Sequence, residues 1–367
     1  MPYHYTPLFT RDLSQGELIE EYFRQGLRRR KQPDNLQKVI DTICQELNGS
    51  GNCIGYRQMH QRLRVNHGLV VDRETVRLSL KILDPVGVEN RSRRRLRRRE
   101  YRGRGPNFIW HMDGYDKLKP YGMAIHGAID GYSRRLLWLE VGTTNNDPSV
   151  TARYFLDYVK QVGGVPRIAR TDAGTENVTI CGIQRFFRAN CTDSFNGEKS
   201  FMYGASVSNQ RIEAWWSQLR QSQSDWWIEF LRGIREEGLY DDSNFMHVQC
   251  MIYCFIPILR EELYNVMKLW NTHRIRPSSN RESPPGRPDV LYSVPELNST
   301  EDYLVPVSPI DITAAEAFIS HDNTDDADEN FTELAKIIEQ EQNLQKPTNA
   351  TEAKYHYVTL LDYINQI

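Results

Sequence analysis

Four short apolar runs and one capped helical stripe, all within residues 106–172, restrict this chain to a mixed α/β fold. Phe108, Trp110 and Met112 alternate with Ile109, His111 and Asp113, so the first run reads as a strand buried on one face and nearly so on the other. Met123–Ile129 and Leu136–Val141 read as the second and third strands. They are joined across Asp130-Gly131-Tyr132-Ser133, and Asp-Gly between apolar runs is a strong hairpin signal. The period then changes. Asp147-Pro148 supplies a cap followed by proline, and Phe155, Tyr158, Val159 and Val162 lie at helical spacing until Gly163-Gly164. Arg167–Thr171 is the fourth strand, with Asp172 at its tip, and Val178–Ala189 the next helix.

A polar loop (Asn190 to Lys199) and a turn-rich segment (Gly204 to Gln210) lead into a further helix. Ile212, Trp215, Trp216 and Leu219 form its buried side, while Gln210, Glu213, Ser217 and Arg220 line another face. Glu213 is therefore beside the apolar stripe. Between Asp113 and Asp172 lie 58 residues, and between Asp172 and Glu213 lie 40. Three acids converging at one end of a sheet repel one another and raise their own pKa values unless a cation neutralises them. Carboxylate-only sites prefer hard ions, so magnesium or manganese is the expected occupant. Two such ions about 4 Å apart can activate an attacking oxygen and stabilise a leaving oxygen of a phosphodiester. Each acid has an ordinary alternative. Asp130 reads as a turn residue, Asp116 as a surface acid, and Glu176 as a helix cap or a support for the other acids. No nucleophile elbow, phosphate-binding Gly-Lys-Ser/Thr loop or dinucleotide fingerprint occurs in the chain.

Asp113 in Asn-Phe-Ile-Trp-His-Met-Asp-Gly, Asp172 in Ile-Ala-Arg-Thr-Asp-Ala-Gly-Thr-Glu-Asn and Glu213 in Ser-Asn-Gln-Arg-Ile-Glu-Ala-Trp-Trp share an order and a set of element types. Together they resemble the Asp-Asp-Glu core of retroviral integrases and related transposases, over about a third of the chain. The resemblance implies a ribonuclease H-like α/β catalytic core at 106–225, with a helical extension at 226–298. It implies that Asp113, Asp172 and Glu213 are catalytic and bind two Mg2+ or Mn2+ ions, with Asp113 bridging the pair. The implied activity cleaves a DNA end with water and then uses the exposed 3′-hydroxyl to attack target DNA. Arg220, two turns beyond Glu213, falls where the family places a basic residue against the transferred end. Relatives work as multimers, so a homo-oligomer is expected. Two departures stand out. The interval of 40 residues exceeds the family's usual one, and the N-terminal zinc module is replaced by a helical region.

That helical region, residues 1–90, has three elements from Asn35 onward. Val39, Ile43 and Leu47 form one stripe, and Tyr56, Met59 and Leu63 a second. Asp72 caps a third helix, whose core line is Val76, Leu80 and Leu83. Beside that line Arg73, Arg77 and Lys81 form a basic stripe. Two short helices, a glycine-containing turn and a basic last helix fit a helix-turn-helix that binds double-stranded DNA. A three-helix bundle with a solvated basic face fits equally by composition, and the position ahead of an integrase-like core favours DNA. Ahead of these helices, Leu18, Ile19, Tyr22 and Phe23 suggest a short amphipathic helix followed by Arg28–Lys31.

The net charge of −2 conceals segregation. Residues 91–104 carry nine arginines against one glutamate, including Arg93, Arg94, Arg95, Arg97, Arg98 and Arg99. Nine guanidinium groups exceed what solubility requires, so 91–105 reads as a DNA-tracking linker that releases phosphate counterions. It could equally direct the chain to the nucleus. Residues 322–341 carry eight acids against Lys336 and read as a disordered or loosely helical stretch, within an acidic tail at 299–367 that ends in an amphipathic helix (Tyr355 to about Ile364). Six cysteines lack metal-like spacing and read as reduced structural thiols. No run reaches the length of a membrane span, and no signal segment or small-molecule cofactor motif is present. The main reading is a DNA integrase or transposase. Its rivals are a DNA- or chromatin-binding protein that keeps the fold but not strand transfer, and a ribonuclease H-type nuclease.

Overall fold

The structure, a computed structural model, describes residues 33–92, 103–204, 209–277, 284–319 and 327–366. The residues form two compact units. One comprises the described residues up to 92 with Ser217–Trp227, and the other those from 103 to Trp216 and from Ile228 onward.

In the first unit, α1 (Leu36–Leu47) is capped by Asn35, whose side chain accepts the Gln37 N–H. It is followed by α2 (Tyr56–Val65), α3 (Arg73–Leu83) and α4 (Pro85–Ser92). Asp72 caps α3 as its sequence suggests, accepting the Glu74 and Thr75 N–H groups. Val39, Ile43, Met59, Leu63, Val76 and Leu80 meet in one core, joined by Ile54 and Leu69 from the turns. Arg62 is buried and donates to Glu46 Oε2 (2.7 Å) and to the Ser222 carbonyl (3.3 Å). Burial raises the Glu46 carboxyl, but hydrogen bonds from His67 and Arg62 outweigh it and hold the group below its usual range.

In the second unit, β1 (Ile109–Tyr115), β2 (Ala124–Asp130) and β3 (Leu136–Gly142) form the antiparallel meander. Next come α5 (Pro148–Val162), the two-residue β4 (Gly164–Val165), β5 (Ile168–Asp172), α6 (Val178–Phe187) and β6 (Phe201–Gly204). The sheet order is β3-β2-β1-β5-β6, with β5 parallel to both β1 and β6. This mixed α/β arrangement is consistent with the ribonuclease H-like architecture. Side chains alternate across the sheet. Trp110, Met112, Ala128, Ala169 and Phe201 enter a core shared with Phe155 and Val159 of α5 and Ile180 of α6. His111, Asp113, Arg170, Asp172 and Met202 lie on the opposite face by the same alternation.

The remaining elements are α7 (Gln210–Leu219), a π-helical turn (Arg220–Ser224), α8 (Asp225–Glu236), α9 (Phe245–Thr272), α10 (Pro288–Ser293), β7 (Val305–Pro306), α11 (Pro309–Glu316), α12 (Glu329–Gln342) and α13 (Ala350–Ile364). Buried Asn271 of α9 joins β3: Leu136 N–H donates to its Oδ1, and its Nδ2 donates to the Leu136 carbonyl.

Within the expected helical extension, α10 and a 3-10 turn (Pro295–Asn298) are both begun by proline at a first helical position. Two expectations change. The acidic stretch is an ordered helix from Glu329, because Phe331, Ala335 and Ile338 give it a buried side. Its Glu339 accepts from Tyr253 of α9 and pairs with His356 of α13. The terminal helix begins at Ala350 rather than Tyr355, capped by Asn349, and packs on α9 through Tyr357 against Phe255. Residues 320–326 of the acidic stretch lie outside the described residues, as do the expected helix and basic cluster before residue 33. All six cysteines are free thiols. Among the described residues no helix is long and apolar enough to cross a membrane.

Candidate active site

Asp113 does not end β1 but sits two residues inside it, opposite Gly127 of β2. A Cβ there would stand 3.0 Å from Trp216 Cη2 and 3.2 Å from Leu139 Cδ1, so glycine lets the indole lie close across the strand, and a larger residue would make it give by a few tenths of an ångström. Trp216 then donates its Nε1–H to Asp113 Oδ2 at 3.0 Å. The sequence assigns Trp216 to the apolar side of its helix, and it does pack there against Tyr115 with ring centroids 5.2 Å apart. Its role as a hydrogen-bond donor has no local signature.

Asp172 is the last residue of β5, level with Gly204 of β6. Asn177 donates its Nδ2 to Asp172 Oδ1 (3.1 Å) and to Glu176 Oε1 (3.0 Å). Glu176 thus accompanies Asp172 through a shared amide. β6 itself is absent from the sequence reading, because four residues are too few to show a period.

Glu213 lies in the first turn of α7, half-buried, and its N–H donates to the Asn209 carbonyl. Asn209 is fully buried and crosses to β1: it accepts from His111 Nδ1 (2.8 Å) and donates to the Met112 carbonyl (2.8 Å). This fixes the start of the Glu213 helix against the strand that carries Asp113. Burial pushes the His111 imidazole down to about 3, so it stays neutral with Nδ1 protonated.

Asp113 senses the other two acids. Burial chiefly, and then the negative charges of Glu213 and Asp172, push the Asp113 carboxyl up to about 7 against the opposing Trp216 hydrogen bond. The all-oxygen donor set of Asp113, Asp172 and Glu213 is of the kind that suits a hard divalent cation. Among the described residues no three acidic, histidine or cysteine side chains form a ready-made metal cage.

Of the expected DNA-contacting residues, Arg73 and Lys81 are exposed on α3. Arg77 is held by Glu74 through two hydrogen bonds, a partner the sequence reading did not assign. Arg220 opens the π-helical turn and pairs with Asp225 at 2.8 Å. Arg93, Arg94, Arg95, Arg97, Arg98 and Arg99 lie outside the described residues.

With this geometry in place, comparison with protein families gives one decisive match: residues 100–293 fit the model of the integrase core domain. The chain belongs to the integrase core domain family. The match takes in β1 through α10, and with them Asp113, Asp172 and Glu213. Members of this family generally use divalent metals. No curated protein matches the chain.

Proposed function

We propose that this integrase core domain protein is a DNA integrase or transposase, cutting and joining DNA strands with Asp113, Asp172 and Glu213 as the catalytic and metal-holding acids. The single observation that carries the reading is the Asp113 carboxyl, pushed up to about 7 by burial first and then by the negative charges of Glu213 and Asp172. A carboxyl raised by burial and by neighbouring acids is a candidate for a functional group. Two bound Mg2+ or Mn2+ ions would supply charge neutralisation and oxygen activation for phosphodiester transfer. The chain's own groups orient the acids: Trp216 holds Asp113, Asn177 holds Asp172, and Asn209 fixes the start of the Glu213 helix. The helical unit with Arg73 and Lys81, the arginine run and Arg220 would bind double-stranded DNA. Work on two DNA ends calls for a homo-oligomer, and the arginine run would also serve nuclear entry.

The Trp216 hydrogen bond favours one rival. An indole N–H on a carboxyl near pH 7 satisfies Asp113 without a cation, as suits a DNA-binding protein that no longer transfers strands. Cleavage and joining of labelled DNA with magnesium or manganese separates the two, using wild type, Asp172→Asn and Glu213→Gln, alongside calorimetry of metal binding. Strand transfer reads as a wild type that binds metal and cuts, with both variants folded and silent. A wild type that binds DNA but no divalent metal would falsify it in favour of the rival.

A further inference from the structure

We infer that Arg170 contacts a backbone phosphate of the DNA strand held at the candidate site, an assignment that rests on the proposed function and adds a residue to it. Arg170 lies on β5 two residues before Asp172, and alternate residues of a strand project to the same side. Register extends this into a row. Arg170 is level with His111 of β1, itself two residues before Asp113, and with Met202 of β6, two before Gly204. The row His111–Arg170–Met202 therefore runs beside the row carrying Asp113 and Asp172, one pleat repeat or roughly 7 Å away.

Within that row, His111 is fully buried and neutral, while Met202 is 41% exposed. Arg170 is half-buried. Among the described residues it makes no hydrogen bond or ion pair, and its Nε is buried without an acceptor. Other arginines of the same unit reach an acid, Arg135 pairing with Asp289 and Arg167 and Arg188 with Asp193, although Arg167, Arg185 and Arg188 also keep buried nitrogens without an acceptor. A half-buried guanidinium with no anion is costly, and a phosphodiester would relieve that cost because its geometry suits the guanidinium fork. The position also answers an electrostatic need. Three acids repel the phosphate they act on, and a cation one repeat away on the same face offsets the repulsion. Met202 adds an exposed apolar surface at the sheet edge, suited to a deoxyribose.

The test is equilibrium binding of the full chain to a labelled branched duplex shaped like a strand-transfer joint. It is run in metal-free buffer over a series of salt concentrations, for wild type, Arg170→Gln and Arg170→Lys, with thermal melting of each. One lost phosphate contact predicts Arg170→Gln binding about five- to tenfold weaker, with a log–log salt slope shallower by about 0.9. Arg170→Lys should recover the slope but not all of the affinity, because lysine keeps the charge and loses the fork. Should Arg170→Gln melt well below wild type, the slope of Arg170→Lys decides. A wild-type slope supports a charge contact, and a slope lowered by one contact overturns it. Unchanged affinity and slope in a well-folded Arg170→Gln removes Arg170 alone. Failure of the wild type to bind any DNA removes the proposed function with it.

Discussion

Two aspartates in the same sheet, buried Asp130 and half-buried Asp113, experience opposite surroundings. Both carboxyls are raised chiefly by burial, Asp130 to about 6 and Asp113 to about 7. Asp130 receives the N–H groups of Asn107, Tyr132 and Ser133 and the Ser133 hydroxyl, and it closes the hairpin between β2 and β3. Asp113 receives one indole N–H and faces two further acids. One carboxylate organises its neighbours. The other is left with charge that its neighbours do not neutralise, the signature of a group placed for something outside the chain.

Removing each acid should therefore have opposite effects on stability. Asp130→Ala strands several buried donors and should lose roughly 3–5 kcal/mol in denaturant unfolding. A loss below about 1 kcal/mol would show that the hairpin does not depend on this acid. The next effect is one of pH. Burial pushes His126 down to about 4 as it pushes His111 down to about 3. Below about pH 6.5 the unfolded chain takes up protons that these folded imidazoles refuse, so stability falls as pH drops. For His126 the loss approaches roughly 3 kcal/mol by pH 4, and unfolding measured from pH 7 to 4 should show a shallower acid limb in His126→Gln. Equal limbs would mean that the imidazole finds a proton-accepting neighbour on acidification. The smallest effect tests the other half of the contrast. Asp113→Asn removes a buried charge and its repulsions, so at pH 7 it should gain about 2 kcal/mol while divalent-cation binding disappears. A destabilised Asp113→Asn would place Asp113 with Asp130 as a structural group.

Much of the scaffold is legible locally. Asp147-Pro148 and Gly163-Gly164 bracket α5 because caps and the left-handed glycine act on adjacent residues. Asp130-Gly131 forecasts the hairpin for the same reason. Short or tertiary-dependent elements escape: β6 has four residues, and α12 is helical where the charge count suggested a loose tail. In α12 three buried side chains outweigh the acids around them.

The sequence by itself determined the order of the longer strands and helices, the three acids and the elements that bear them, since periodicity, caps and turn residues are written into neighbouring positions. Only the tertiary structure decided which groups meet. Asn209 reaches His111 across 98 residues, Trp216 reaches Asp113 across 103, and Arg170 has no ion pair among the described residues. Such pairings depend on strand register and on the burial it creates, and register is fixed only when distant segments pack against one another.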